Sequence, residues 1–291
     1  MGIEIESKVF SRTSLLEQHP TMEVFIDPGY TLTGGGAWIE YEEPGNLLVQ
    51  SYPIQCRDGK WSGWKAYGKD AWESSKAIIT TYAIGIKVTK DGELVPIEQM
   101  VFYSDTTKSE LPSTPDHDGW VAVGGGVKCE QNVFENVMLS ETAPFRGTPN
   151  PEESFHTISA WYGSKLYCFS PTSNRGPTGG GTISTYLIAI RAAGILFRTR
   201  VLCEKSELAP RPKAEVLAQG GVVVSGGAVD KQTDLSYTDF ADQSVNMLTA
   251  TYPLYDEDSL DKIRGWKAAG KDHHFTSHSN LRVYCVTLSA E

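Results

Sequence analysis

Three glycine clusters recur along the chain at near-constant spacing, and this recurrence limits the fold more than any other feature. They are Thr33-Gly34-Gly35-Gly36-Ala37, Val123-Gly124-Gly125-Gly126-Val127 and Ser225-Gly226-Gly227-Ala228-Val229. An apolar pair precedes each, Val9-Phe10, Val101-Phe102 and Val201-Leu202, starting 27, 25 and 26 residues before the last glycine. Downstream, Asn46-Leu47-Leu48-Val49-Gln50-Ser51-Tyr52-Pro53 matches Asn246-Met247-Leu248-Thr249-Ala250-Thr251-Tyr252-Pro253. Gly63-Trp64-Lys65-Ala66-Tyr67-Gly68-Lys69-Asp70 likewise matches Gly265-Trp266-Lys267-Ala268-Ala269-Gly270-Lys271-Asp272. Each copy closes on a β-rich run: Thr81–Ile86, Thr185–Ile190 and Val283–Leu288. The middle copy is degenerate, keeping Ala143-Pro144 for Tyr-Pro and Trp161-Tyr162-Gly163 near the tryptophan element. A fixed period of this kind marks repeated supersecondary units. The 291 residues therefore divide into repeats of approximately 1–93, 94–193 and 194–291 within one domain.

Each copy reads as β. Ile, Val, Thr and Tyr crowd the closing runs, and Gly, Pro, Asn and Asp punctuate the chain between them. The best helix candidates, Leu15-Leu16-Glu17 and Leu254–Ile263, are short. Glycine triplets weaken a strand unless a bulge or a close backbone approach requires them, which suggests strands converging on a central axis. The expected fold is all-β, a β-prism with pseudo-threefold symmetry. A β-trefoil-like threefold assembly is the alternative, with a normally shorter repeat. Pairing of the first strand with the last is expected to close the assembly and hide its edges.

A net charge of −10 excludes nucleic acid, whose phosphates need clustered Lys and Arg. It also disfavours docking on anionic lipid and tilts the target toward neutral glycans or protein. No apolar run reaches the length of a transmembrane helix, and Met-Gly-Ile-Glu-Ile-Glu-Ser is not a secretory signal. The expectation is a soluble protein, cytoplasmic in its producer or released without a signal peptide. Its five cysteines, with no C-x-x-C pair, read as reduced structural thiols.

The motifs Gly-Gly-Gly-Ala, Leu-Leu-x-x-Ser-Tyr-Pro, Gly-Trp-x-Ala-x-x-Lys-Asp and Thr-Tyr-Ala-Ile-Gly-Ile occur in that order in the first copy. Together they resemble the repeats in the C-terminal β-prism domain of bacterial MACPF (perforin-like) proteins, including insecticidal ones. The resemblance covers all three copies, closely in the first and third and loosely in the second. It implies a lectin-like or membrane- and receptor-targeting module acting at a target cell surface. A glycan, receptor or membrane would be its partner, and a separate toxin subunit would form the pore. A structural or assembly protein that binds a protein partner is the alternative.

The tryptophan element offers candidate ligand-binding residues: Trp64, Lys69 and Asp70, with Trp266, Lys271, Asp272 and His273. An aromatic face beside a cation and a carboxylate can stack on a sugar ring and bond its hydroxyls. The second copy has Ser164-Lys165 there instead, so three equal sites are not expected. His273-His274-x-x-x-His278 and the acidic stretch Asp256-Glu257-Asp258…Asp261 are the candidate metal sites. Both read better as solvated loops, which leaves calcium a minor alternative and no cofactor expected. G-x-S-x-G and H-E-x-x-H are absent, and degenerate repeats favour binding over catalysis, so no enzyme is expected.

Overall fold

The computed structural model describes residues 2–70, 74–106, 119–130, 137–145, 157–167, 182–231, 246–256, 259–272 and 278–291. Over this part the chain forms strands and no helix. The first repeat carries β1 (Ile3–Thr13), β2 (Thr21–Phe25), β3 (Thr31–Tyr41), β4 (Asn46–Gln55), β5 (Trp61–Asp70), β6 (Ala77–Lys90) and β7 (Glu93–Leu94). The second carries β8 (Glu98–Thr106), β9 (Val121–Cys129), β10 (Val137–Phe145), β11 (Ala160–Tyr167) and β12 (Ile183–Arg191). The third carries β13 (Phe197–Lys205), β14 (Lys213–Leu217), β15 (Val222–Lys231), β16 (Met247–Asp256), β17 (Ser259–Lys271) and β18 (Asn280–Ala290). The two helix candidates fail. Leu15 and Leu16 sit in an exposed loop, and the described part of Leu254–Ile263 falls in β16 and β17. Among the described residues no helix is long and apolar enough to cross a membrane.

Among the described residues the strands form three antiparallel sheets, and none closes into a barrel. Their orders are β1-β6-β3-β16-β17-β14 with β7 on β6, β2-β5-β4-β9-β12-β8, and β11-β10-β15-β18-β13. Every sheet draws on two stretches of the chain. Ala37 and Trp38 of β3 pair Thr251 and Ala250 of β16. Val127 and Lys128 of β9 pair Ser51 and Gln50 of β4, and Ala228 and Val229 of β15 pair Thr142 and Glu141 of β10. The expected pairing of first and last strands does not occur: β1 is a sheet edge on β6, and β18 lies between β15 and β13. Within each sheet the strands of two repeats are joined instead just past the glycine clusters.

The glycines serve this convergence. A register shift precedes each cluster, leaving Thr33, Val123 and Val224 bulged, and such bulges bend and twist a strand. After the bulge, Gly34 and Gly124 both abut Ser225, where a Cβ on either would overlap the neighbouring strand. Thr33 Oγ1 donates to Val224 O at 2.8 Å, and Ser225 Oγ donates to Val123 O. The middle glycines, Gly35, Gly125 and Gly226, lie flat against the buried indoles of Trp64, Trp161 and Trp266. Leu32, Leu47, Leu48, Ile84, Val123, Leu187, Val224 and Val286 surround this centre, all 0–1% exposed.

Candidate recognition surface

Alternation along β5 decides which predicted residues share a face. From Trp64 to Asp70, buried and half-buried residues alternate, as the two-residue period of a strand requires. Trp64 and Asp70 therefore point inward, and Lys69 points the other way. Trp64 is 1% exposed and Trp266 0%. Their Nε1–H groups donate to Ser51 Oγ at 2.9 Å and Thr251 Oγ1 at 2.8 Å, as Trp161 does to Thr142 Oγ1 at 3.0 Å. Glycine covers one side of each ring, so neither tryptophan can stack on a sugar. The expectation that Trp64 and Trp266 hold ligand is corrected on that ground.

The charged residues are also engaged. Asp70 accepts from Gln18 Nε2 at 2.6 Å and Ser75 N at 3.2 Å, and lies 3.0 Å from His19 Nε2. It ties down the loop between β1 and β2. Lys271 is buried beneath the loop after β3, 3.0 Å from Glu43 Oε2, bonded to Pro44 O and 4.8 Å from the Tyr41 ring centre. Asp272 is half-buried, its backbone N–H donating to Pro210 O at 3.0 Å. His273 and His274 lie outside the described residues, while His278 is exposed. Asp256 pairs with Arg264 at 3.0 Å, and Glu257, Asp258 and the Asp261 side chain lie outside the described part. Among the described residues no group of three His, Cys, Asp or Glu is placed to hold a metal.

The opposite faces of two sheets carry a different arrangement. Gly36 pairs with Tyr82 on one side and adjoins Tyr252 on the other. With no side chain between them, the two rings stack at 5.6 Å. Trp38 stacks on Tyr252 at 5.9 Å, and Tyr255 tilts against Tyr82 at 6.0 Å. The second sheet repeats the pattern around Gly126, where Tyr52 and Tyr186 stack at 5.5 Å. Tyr103 stacks on Tyr186 at 5.9 Å and Trp61 meets it edge-on at 6.1 Å. Trp38 is 39% exposed and Tyr103 60%, so each cluster opens to solvent at one end. In the third sheet Ala143 stands where Tyr52 and Tyr252 do, so Tyr284, buried like Tyr82 and Tyr186, has no ring stacked on it from that position.

Each row continues into an ion pair. Tyr252 faces Lys267, which pairs with Glu215 at 3.9 Å; Tyr52 faces Lys65, which pairs with Glu23 at 2.7 Å. Burial, as the leading cause, raises the pKa values of Tyr52, Tyr82 and Tyr252. Tyr82 and Tyr186 are themselves buried, 3% and 9% exposed, and back the rows. Each row thus offers a half-buried neutral phenol, Tyr252 or Tyr52, beside an exposed aromatic and followed by balanced charge. Such a platform suits a ligand with an apolar face and ring hydroxyls. In the sequence these tyrosines stand out as repeat anchors only. The usable signal was parity: Trp64 inward sets Lys65 outward, and the partner of Lys65 across the hairpin is Tyr52.

No protein-family model and no curated protein matches this sequence.

Proposed function

We propose that the chain is a non-enzymatic recognition protein, a β-prism with pseudo-threefold symmetry whose outer tyrosine rows bind a neutral saccharide at a cell surface. One observation carries this reading: two sheets present the same Tyr–Gly–Tyr row, with an aromatic open to solvent beside it. The prism and its repeats of 1–93, 94–193 and 194–291 are supported by the exchange of strands between stretches and by the three tryptophan–glycine contacts. Among the described residues no sheet closes, which argues against the trefoil-like alternative. The place in a toxin, as targeting module beside a pore-forming subunit, rests on the motif order shared with MACPF β-prisms and not on a family match.

Membrane targeting is the second reading, favoured by exposed leucines. Leu16 and Leu208 occupy the same position after β1 and β13 and are 58% and 52% exposed; Leu15, beside the first, is 78% exposed. Apolar side chains at a loop tip can enter a lipid interface without help from charge. A glycan array and flotation with phosphatidylcholine vesicles separate the two readings. Saccharide binding that survives Leu16→Ser/Leu208→Ser supports the first. Vesicle binding abolished by that variant, with a blank array, replaces it with the second.

A further inference from the structure

A cleft of about 330 Å³ opens on the outer edge of the third sheet, between β13, β18 and the turn before β15. Its origin lies in a comparison along the chain. Glu6 pairs Lys87 and Thr31 pairs Ile86 in the first repeat; Glu98 pairs Arg191 and Val121 pairs Ile190 in the second. In the third, Arg198 pairs Ser289 and Val222 pairs Leu288. Tyr30, Trp120 and Gly221 therefore occupy one position, each following a glycine of positive φ.

In the first two repeats that position is filled by an aromatic ring. Tyr30 packs edge-on against Phe10 at 5.3 Å, Lys87 Nζ lies 3.9 Å from its ring centre, and its hydroxyl donates to Glu6. The Arg191 guanidinium lies 4.7 Å from the Trp120 ring and pairs with Glu98 at 2.6 Å. Each is a compact set of ring, cation and carboxylate. In the third repeat Gly221 replaces the ring, Arg198 replaces the carboxylate and Ser289 replaces the cation, while Arg200 stands at the position of Lys8. Gly221 has φ +70° and its missing Cβ faces the Leu288 carbonyl, so the chain's own side chain cannot fill the space. Arg198 reaches Glu291 at 3.1 Å with both side chains well exposed. Among the described residues Arg200 has no ion-pair partner.

We infer that this cleft binds a small aromatic acid, which supplies a ring and a carboxylate in place of those the other repeats carry at the positions of Gly221 and Arg198. Its ring lies where Tyr30 and Trp120 lie in the other repeats, against the guanidiniums of Arg198 and Arg200. Its carboxylate bonds to those same groups. Guanidiniums serve both contacts, stacking on aromatic faces and pairing with carboxylates in a planar fork. The volume falls at the lower end of the range for small-molecule sites. The inference is independent of the tyrosine rows, which lie on other sheets.

Calorimetry with 4-hydroxyphenylacetate tests it, alongside p-cresol, which lacks the acid, and cyclohexylacetate, which lacks the aromatic ring. The expected result is saturable one-to-one binding, weakened at least tenfold in each control ligand. Arg200→Ala, and Arg198→Glu, which restores the carboxylate of the other repeats, each weaken it at least tenfold while circular dichroism stays unchanged. The amide resonances of Gly220 and Gly221 shift on titration. Absence of saturable binding, equal binding of cyclohexylacetate, unchanged affinity in both folded variants, or shifts confined to another surface overturns the proposal.

Discussion

Asp230 is a buried carboxylate where the first repeat has Ile39, both paired at the same register to the repeat's last long strand. It is 6% exposed, and burial pushes its pKa from 3.8 up to about 7, Ser279 offsetting a little of that. The folded state therefore holds this proton more tightly than the unfolded chain. Its contribution favours folding fully below about pH 4, declines as pH rises toward about 7, and is constant above that. The span is on the order of a few kcal/mol. Urea titrations from pH 4 to 8 should show this decline in the wild type and a flatter profile in Asp230→Asn; parallel profiles would remove Asp230 as the cause. Nothing in the sequence marked this residue, because its burial depends on Gly270, brought against it from β17. Cys285, by contrast, was readable from its apolar run, and its burial pushes the thiol up to about 12. The tryptophans were legible as important but not by face. An indole suits a core and a binding platform equally, and only the glycine pressed on each ring decides.

At the scale of elements, the meeting of β3, β9 and β15 fixes what each cluster can hold. Ser225 fills the junction with one hydroxymethyl group, and Gly34 and Gly124 leave space for it. A second side chain there overpacks the centre. Gly34→Ser, whose new Cβ would meet the Ser225 Cβ first, should destabilise the fold by roughly 1–3 kcal/mol. Adding Ser225→Gly should recover part of that loss, with a coupling above about 0.5 kcal/mol in a double-mutant cycle. Strict additivity in denaturant titrations would mean that the two positions do not share one space. The bulge and close approach inferred from the glycine runs are both present, because few other situations call for three glycines inside a strand. The helix candidate at Leu254–Ile263 failed for the opposite reason: its short apolar pattern fits either period, and pairing with the neighbouring hairpin strand prevailed.

At the scale of the whole molecule, repetition announced related units but not how they share strands. A repeat shows which segments are alike, and it is silent on whether a strand pairs within its own copy or with the next. Here β4, β10 and β16 each leave the glycine-bearing strand of their own repeat, β3, β9 and β15, and pair with that of another: β4 with β9, β10 with β15 and β16 with β3. The expectation of first-to-last pairing failed on that point. The exchange matters for function because it sets Tyr252 of the third repeat beside Tyr82 of the first, and Tyr52 of the first beside Tyr186 of the second. Each proposed platform is thus a product of assembly, present only when two repeats share a sheet. The affinity of Tyr52→Ala/Tyr252→Ala for the saccharide that the wild type retains on an array tests this most directly. A loss of tenfold or more, with the thermal transition still cooperative and with Lys69→Ala unaffected, is the predicted result. Undiminished affinity in the folded double variant would contradict the account.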